Sequence, residues 1–300
     1  MQQATKFVRA AVVGAALALM AAGVAPCAVA APVMLNPTPE AVLPGKFVWF
    51  DAVTDDLAAS EQFYGAVFDW SFRSIGSGDS RYTLIQNRGR SIGGLLVRPR
   101  GGGNAPGARW IALMSVADPA RAARYVEARG GKVVVAPVRF AGRGTHALFR
   151  DSDGALFGVL ASETGDPPDR PATAGDFVWL DLFARDPVRA GEFYRGLADF
   201  DLKSRTVAPG ITRVVLASAG VARAAIVALP KEGIAAGWLA FVEVDDVAAT
   251  AARVVAAGGR VVVAARADVL NGHAAIIADP LGGIVGVVNG AKATARGASR

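Results

Sequence analysis

The 300-residue chain is poor in the residues that build redox and metal centres. It contains one cysteine, Cys27, and two histidines, His146 and His273. A single cysteine excludes a disulfide framework, a zinc-finger spacing and a dithiol redox pair. Two histidines leave little material for a histidine-built metal centre. The formal charge is +6, but no basic cluster with interleaved aromatics occurs, so we expect no nucleic-acid partner.

The composition is that of a globular protein. Hydrophobic residues make up 52% of the chain and charged residues 19%, which excludes intrinsic disorder. A chain of 300 residues is long enough for two domains of ordinary size.

The N-terminus has the features of an export signal. Lys6 and Arg9 precede an apolar run over 10–24, and the sequence AVA over 28–30 matches an A-x-A cleavage site. The pattern predicts a signal peptide over 1–30 and a periplasmic or secreted mature chain.

Two other interpretations of this N-terminus are open. The apolar run could be a retained membrane anchor, although Gly14, Gly23 and Pro26 interrupt it. Cys27 could be a lipoprotein acylation site, but Pro26 stands where such a site needs a small residue. We favour cleavage after residue 30, which leaves no cysteine and no membrane contact in the mature protein.

The chain contains an internal repeat. Residues 45–56 read GKFVWFDAVTDD and residues 175–186 read GDFVWLDLFARD, with six of twelve positions identical. Trp110 and the glycines at 130 and 154 return 128 residues later. The repeat predicts two homologous domains. Their predicted bounds are 45–162 and 175–290, with linkers over 31–44 and 163–174 and a disordered tail over 291–300.

Each copy divides again into two units of one strand, one helix and three strands. In the first copy, aspartates at 56 and 118 precede apolar helical patterns, and a Gly-Gly pair at 130–131 ends the second helix. A turn over 151–154 separates the last two strands. The order predicts an α+β fold.

These motifs together resemble one known superfamily. They are W-x-D in the first strand, the pairs Phe63-Tyr64 and Phe193-Tyr194 in the first helices, the Gly-Gly helix stop and the D-x-x-G turn. The chain is similar to the tandem two-domain members of the vicinal oxygen chelate superfamily, which has the glyoxalase, bleomycin-resistance and dioxygenase fold. The resemblance implies tandem βαβββ modules that pair into cupped mixed sheets, with a ligand inside each cup.

The resemblance also implies positions for metal ligands. In metal-using members a ligand stands in the first strand of a module, and a glutamate stands in a last strand. Those positions, with the strand starts of the second modules, are occupied here by Trp49, Trp179, Gly158, Gly286, Trp110 and Trp238. None of these side chains donates to a divalent cation. We therefore expect no metal and no cofactor.

The residues at these positions permit two interpretations. The tryptophans could fill the cups as core, or they could wall a pocket for a flat apolar ligand, with the glycines leaving room for the indoles. Strand alternation puts Asp51 and Asp181 on the same face as the first-strand tryptophans, either as ion pairs or as ligand contacts. The candidate ligand-binding residues are Trp49, Asp51, Trp110, His146, Trp179, Asp181, Trp238 and His273.

The sequence therefore predicts an exported, glyoxalase- or bleomycin-resistance-like protein that binds a small aromatic or drug-like molecule without a metal. The alternative is a lyase or dioxygenase of the same superfamily with a non-standard metal site. An interaction module and a homodimer remain open, and no catalytic residue is assigned. Of the two cups, we expect the one with Asp51 and His146 to be functional.

Overall fold

The computed structural model describes residues 42–75, 82–98, 107–140, 142–208, 211–230, 234–266 and 272–290. The predicted signal peptide over 1–30 and tail over 291–300 lie outside the described residues, as does most of the linker over 31–44. Within the described part, every helix is too short or too polar to span a bilayer.

The first half of the chain forms one eight-stranded mixed sheet with two helices. In chain order the elements are β1 (Phe47–Thr54), α1 (Leu57–Phe68), β2 (Ser71–Ile75), β3 (Tyr82–Asn87), β4 (Arg90–Val97), β5 (Arg109–Ser115), α2 (Pro119–Ala128), β6 (Lys132–Phe140), β7 (Gly144–Arg150) and β8 (Leu156–Ser162). The spatial order is β2-β3-β4-β1-β5-β8-β7-β6. Two βαβββ modules thus join through the antiparallel pair of β1 and β5.

The second half repeats this architecture. Its elements are β9 (Phe177–Ala184), α3 (Pro187–Ala198), β10 (Asp201–Ala208), β11 (Ile211–Ser218), β12 (Val221–Ala228), β13 (Gly237–Glu243), α4 (Val247–Ala256), β14 (Arg260–Val263), β15 (Ala274–Ala278) and β16 (Ile284–Val288). The spatial order is β10-β11-β12-β9-β13-β16-β15-β14. The predicted α+β class with tandem βαβββ modules and mixed sheets is confirmed.

Each of the four helices in the described part of the chain is preceded by a capping aspartate. The side chains of Asp56, Asp118, Asp186 and Asp246 accept hydrogen bonds from backbone N–H groups of the first helical turn. Such caps satisfy donors that have no partner inside the helix. The repeated aspartate of the sequence motif therefore fixes where each helix starts.

The two domains share their hydrophobic core. One cluster combines residues around α2 with residues around α3, and a second combines residues around α1 with residues around α4. Phe50 of the first domain stacks on Phe177 of the second, with ring centroids 3.9 Å apart. One face of each sheet is consequently buried between the domains.

Two matching hydrogen-bonded triads join the domains. The Tyr64 hydroxyl donates to Asp279 Oδ2 over 2.8 Å and accepts from Trp110 Nε1 over 2.8 Å. The Tyr194 hydroxyl donates to Asp151 Oδ2 over 3.0 Å and accepts from Trp238 Nε1 over 3.0 Å. Burial, followed by the nearby aspartate, raises the pKa of both tyrosines, so they stay neutral donors. The tyrosine of each motif thus bonds to the turn aspartate of the other domain.

The segment between the domains is tied to both of them. Asp166 accepts hydrogen bonds from the Leu43 backbone and the Ser115 hydroxyl, each over 2.6 Å. Asp169 bridges Lys46 of the first domain and Arg223 of the second. These bonds hold the Pro-rich segment against the folded domains along part of its length.

Candidate ligand-binding site

The sheet faces that point away from the domain interface are the candidate sites. We define cup 1 as the face of the first sheet that carries Trp49, Asp51 and Leu113, and cup 2 as the face of the second sheet that carries Trp179 and Asp181. In both sheets, side chains alternate between the cup and the domain interface.

Cup 1 is closed by its own side chains. Its cluster contains twelve buried residues from seven strands of one sheet, including Tyr82 of β3 and Val135 of β6 near opposite edges. Trp49 lies at the centre with 0% of its surface exposed. An indole enclosed on all sides acts as core.

A hydrogen-bonded polar group lies inside cup 1. Trp49 Nε1 donates to Asp51 Oδ1 over 2.8 Å and to the Tyr82 hydroxyl over 2.9 Å. The Tyr82 hydroxyl donates to Asp51 Oδ1 over 2.6 Å, and Arg143 donates to Asp51 Oδ2 over 3.1 Å. The Arg143 guanidinium also lies 5.3 Å from the Trp49 ring centroid. Asp51 and Arg143 therefore form a buried ion pair, in which the arginine balances the charge of the carboxylate.

One glycine makes room for this group. A Cβ atom added to Gly94 would lie 1.9 Å from the Tyr82 hydroxyl oxygen. Any side chain at that position would displace the tyrosine that bonds to Asp51. The second domain has Ala225 at the matching position, since Asp51 pairs with Gly94 and Asp181 pairs with Ala225.

His146 lies on the cup face but has a buried, unsatisfied nitrogen. The residue is 3% exposed, and its Nε2 atom has no hydrogen-bond partner. Burial, assisted by the nearby positive charge of Arg143, lowers the pKa of His146 well below its usual value. The ring is neutral at physiological pH and packs edge-on against Phe140.

Cup 2 is open where cup 1 is closed. Its hydrophobic cluster has only four buried residues, from three strands of the described part. Eight residues of cup 2 are only half-buried, although each matches a buried residue of cup 1. They are Val178, Trp179, Phe183, Arg213, Val215, Val227, Val263 and Ile276. Ile284, which matches the buried Leu156, is 44% exposed. The second cup thus presents an apolar lining to solvent.

The polar group of cup 2 is smaller and more exposed. Trp179 Nε1 donates to Asp181 Oδ1 over 2.9 Å, and Arg213 donates to the same oxygen over 2.8 Å. The Arg213 side chain is 26% exposed and lies 5.7 Å from the Trp179 ring centroid. Burial raises the pKa of Asp181, while Arg213 and the indole N–H oppose this shift.

Two predicted site residues, Trp110 and Trp238, lie on the interface face of their sheets and not on the cup face. Trp110 and Trp238 belong to the interdomain triads, where Trp110 contacts Phe177 and Trp238 contacts Phe47 across the interface. The prediction that they wall the cups is wrong because the strand starts were aligned one residue out of phase. Leu113, which pairs with Trp49, occupies the cup position on β5.

The two strand glycines do not accommodate indoles. A Cβ atom added to Gly158 would meet Leu113 and Leu148, and one added to Gly286 would lie 2.2 Å from the Phe241 ring. The large side chains that face these glycines are therefore Leu113 of β5 and Phe241 of β13. The expected pairing of tryptophan with glycine is wrong for both cups.

His273 lies just before β15 and out of phase with His146. Its backbone carbonyl accepts a hydrogen bond from Asn289 over 2.9 Å. Ala274 pairs with Val288, as His146 pairs with Leu160, so Ala274 holds the matching cup position. His273, a predicted ligand-binding residue, therefore falls outside the cup lining.

The side chains do not fit the divalent metal that the fold implies. The expected ligand positions hold Trp49, Trp179, Gly158 and Gly286, which offer no donor atom. Across the described residues, no three His, Cys, Asp or Glu side chains approach closely enough to share an ion. Arg143 and Arg213 instead supply the positive charge beside the cup carboxylates. We derive no metal-dependent step.

Comparison with known proteins defines the family. The chain matches the model of the "Glyoxalase/Bleomycin resistance protein/Dioxygenase superfamily" over residues 46–159 and 176–285. The chain therefore belongs to this superfamily, and the resemblance in its motifs is confirmed.

Curated relatives span nearly the same length. "Putative glyoxylase CFP32" of Mycobacterium tuberculosis is 26% identical over 243 residues, which are 80% of this chain and 93% of the relative. "Anthracycline biosynthesis protein DnrV" of Streptomyces peucetius is 30% identical over 275 residues, which are 85% of this chain and 98% of the relative.

Solved structures share the fold at low identity. The Mn(II)-bound glyoxalase from Novosphingobium aromaticivorans has a TM-score of 0.55 and 18% identity, covering 82% of each chain. The 2,3-dioxygenase LapB from Pseudomonas sp. KL28 has a TM-score of 0.54 and 14% identity, covering 85% of this chain and 93% of LapB. These likenesses establish architecture alone.

Proposed function

We propose that this protein binds a planar aromatic small molecule in cup 2, against the exposed part of Trp179. The observation that carries the proposal is the difference between the two cups. Trp49 is fully enclosed, whereas Trp179 and its apolar neighbours are half-buried. Ligand sites are mainly apolar and carry a few polar groups, and the described lining of cup 2 has both.

This assignment places the site in the second domain instead of the first. Asp51 has no free role in cup 1, because Trp49, Tyr82 and Arg143 all bond to it. Duplication allows one copy to become a closed structural domain while the other retains an open cup.

The names of relatives support an aromatic ligand class. DnrV is described as an anthracycline biosynthesis protein, which connects one relative with polycyclic aromatic compounds. The names glyoxylase and glyoxalase favour a second candidate, a lyase or dioxygenase. That candidate needs metal ligands other than the residues that occupy the expected ligand positions.

We expect Trp179→Ala to weaken binding of anthraquinone-2-carboxylate, a planar probe, by about tenfold or more. The loss follows because the ligand loses its aromatic contact. Titration of intrinsic fluorescence and calorimetry on the full chain measure it. Because Trp179 is half-buried, its removal should cost less stability than the roughly 3–5 kcal/mol typical of a packed indole.

Trp49→Phe is the matched control in the closed cup. Binding by this variant should stay within about twofold of the wild type, provided that thermal unfolding confirms a folded chain. Equal binding by wild type and Trp179→Ala, or a larger loss in Trp49→Phe, would contradict the assignment to cup 2.

We further propose that the protein is exported. The support is the basic start, the apolar run over 10–24 and the A-x-A site over 28–30. We expect N-terminal mass spectrometry of the native protein to find Ala31 as the first residue, in the periplasm or the medium. A cytosolic protein that begins at Met1 would overturn this proposal.

A further inference from the structure

Three cationic residues lie on one wall of cup 2. Arg213 of β11 points into the cup, as its bond to Asp181 shows. Arg205 of β10 pairs directly with Arg213, and Lys203 pairs with Val215, so strand pairing places all of them on the cup face. Arg205 and Lys203 are exposed.

This wall carries more positive charge than its acids neutralise. Asp181 pairs with Arg213, and among the described residues no carboxylate forms an ion pair with Arg205 or Lys203. Like charges placed directly opposite each other on neighbouring strands destabilise a sheet. Arg205 and Arg213 therefore place two like charges opposite each other, of which only Arg213 has a carboxylate partner.

The first domain shows that the fold does not require this charge pair. The residues that match Arg205 and Arg213 are Ile75 and Tyr82, which pair with each other on β2 and β3. Both pack with the apolar cluster that closes cup 1. The apolar pair accompanies the closed cup, and the cationic pair accompanies the open one.

From this difference we infer that the aromatic ligand of cup 2 carries an oxyanion, which Arg205 and Arg213 bind while its ring lies on Trp179. The inference rests on the proposed function. Guanidinium groups match carboxylate oxygens in charge and in planar geometry, and a bound anion relieves the repulsion between the two arginines. Lys203 adds a third, more mobile positive charge at the rim.

The test compares two probes of nearly the same shape, of which only one is charged. Anthraquinone-2-carboxylate and anthraquinone-2-carboxamide are titrated into the full chain by calorimetry, at low and at high salt. We expect the acid to bind about tenfold more tightly than the amide at low salt, and we expect the difference to shrink as salt screens the charges.

Variants test which side chain causes the preference for the acid. Arg205→Ala should reduce the preference for the acid at least threefold and leave amide binding unchanged, while Arg205→Lys should restore part of it. Arg73→Ala is the matched control, because Arg73 occupies in the first domain the position of Lys203. It should change neither affinity.

The outcomes separate this inference from the proposed function. Equal binding of acid and amide, with both weakened by Trp179→Ala, overturns the oxyanion and leaves the aromatic site intact. An acid preference that survives Arg205→Ala also overturns the inference. Failure of both probes to bind at millimolar concentration counts against the proposed function itself.

Discussion

Asp279→Ala is expected to lower the free energy of unfolding by about 3–5 kcal/mol. The Asp279 carboxylate is 3% exposed and accepts three hydrogen bonds. One comes from the Tyr64 hydroxyl, and two come from the backbone N–H groups of Leu281 and Gly283. Its removal leaves three donors unsatisfied, two of them buried, and opens one of the two triads between the domains. Denaturant unfolding measures the loss.

Two further variants provide reference values for this change in the free energy of unfolding. Tyr64→Phe removes only the hydroxyl and should cost about 1–3 kcal/mol, because it leaves the Asp279 carboxylate and the Trp110 N–H without that partner. Asp201→Ala changes an exposed aspartate at the start of β10 and should stay within about 0.5 kcal/mol of the wild type. An Asp279→Ala protein as stable as Asp201→Ala would show that the triad contributes nothing.

Arg143→Leu is expected to destabilise the protein by about 3–5 kcal/mol, because it leaves the Asp51 carboxylate buried without a counterion. The side chains of both residues are close to nine-tenths buried. Adding Asp51→Asn to Arg143→Leu removes the uncompensated charge and should restore much of the loss. Thermal and denaturant unfolding of the two variants provide the comparison.

The second domain supplies the matched control for this prediction. Arg213→Leu breaks the corresponding pair with Asp181, but Arg213 is more exposed than Arg143. Asp181 is as buried as Asp51, but solvent reaches Arg213 more readily, so the loss of this pair should cost less than the loss of the Arg143 pair, by about 1 kcal/mol or more. Equal costs for Arg143→Leu and Arg213→Leu would contradict the description of cup 1 as closed and cup 2 as open.

The repeat and its capping aspartates made the fold predictable from the sequence. Asp56 and Asp186 recur at the same place in each copy, and helix caps are local signals that need no tertiary contact. The first edge strand, Ser71–Ile75, has no strand signal of its own in the sequence. Its short sequence SFRSI is largely exposed and lacks the apolar alternation that marks a strand.

The site was only partly predictable, because its decisive features depend on long-range packing. Alternation from Trp49 correctly placed Asp51 on the cup face. The prediction for Trp110 failed because this residue pairs with Ala52, three residues from Trp49, so strand alternation places it on the opposite face of the sheet. The closure of cup 1 depends on Tyr82 and Arg143, which lie 31 and 92 residues from Asp51.

The interdomain hydrogen bonds of the tyrosine motif also could not be predicted from the sequence. Tyr64 and Tyr194 recur in the sequence as part of the helix motif, and both are buried. Their bonds to the turn aspartates of the opposite domain follow from domain packing, which no local pattern encodes. A signal was present, since tyrosine and turn aspartate recur together in both copies.

The proposed ligand site is cup 2, at Trp179. The most direct test is ¹⁹F NMR of the full chain labelled with 5-fluorotryptophan, in which each of the five tryptophans is assigned by its Trp→Phe variant. On titration with anthraquinone-2-carboxylate, we expect the Trp179 resonance to shift saturably and the Trp49 resonance to stay in place. A saturable shift of Trp49 with Trp179 unchanged would contradict the placement of the site in cup 2.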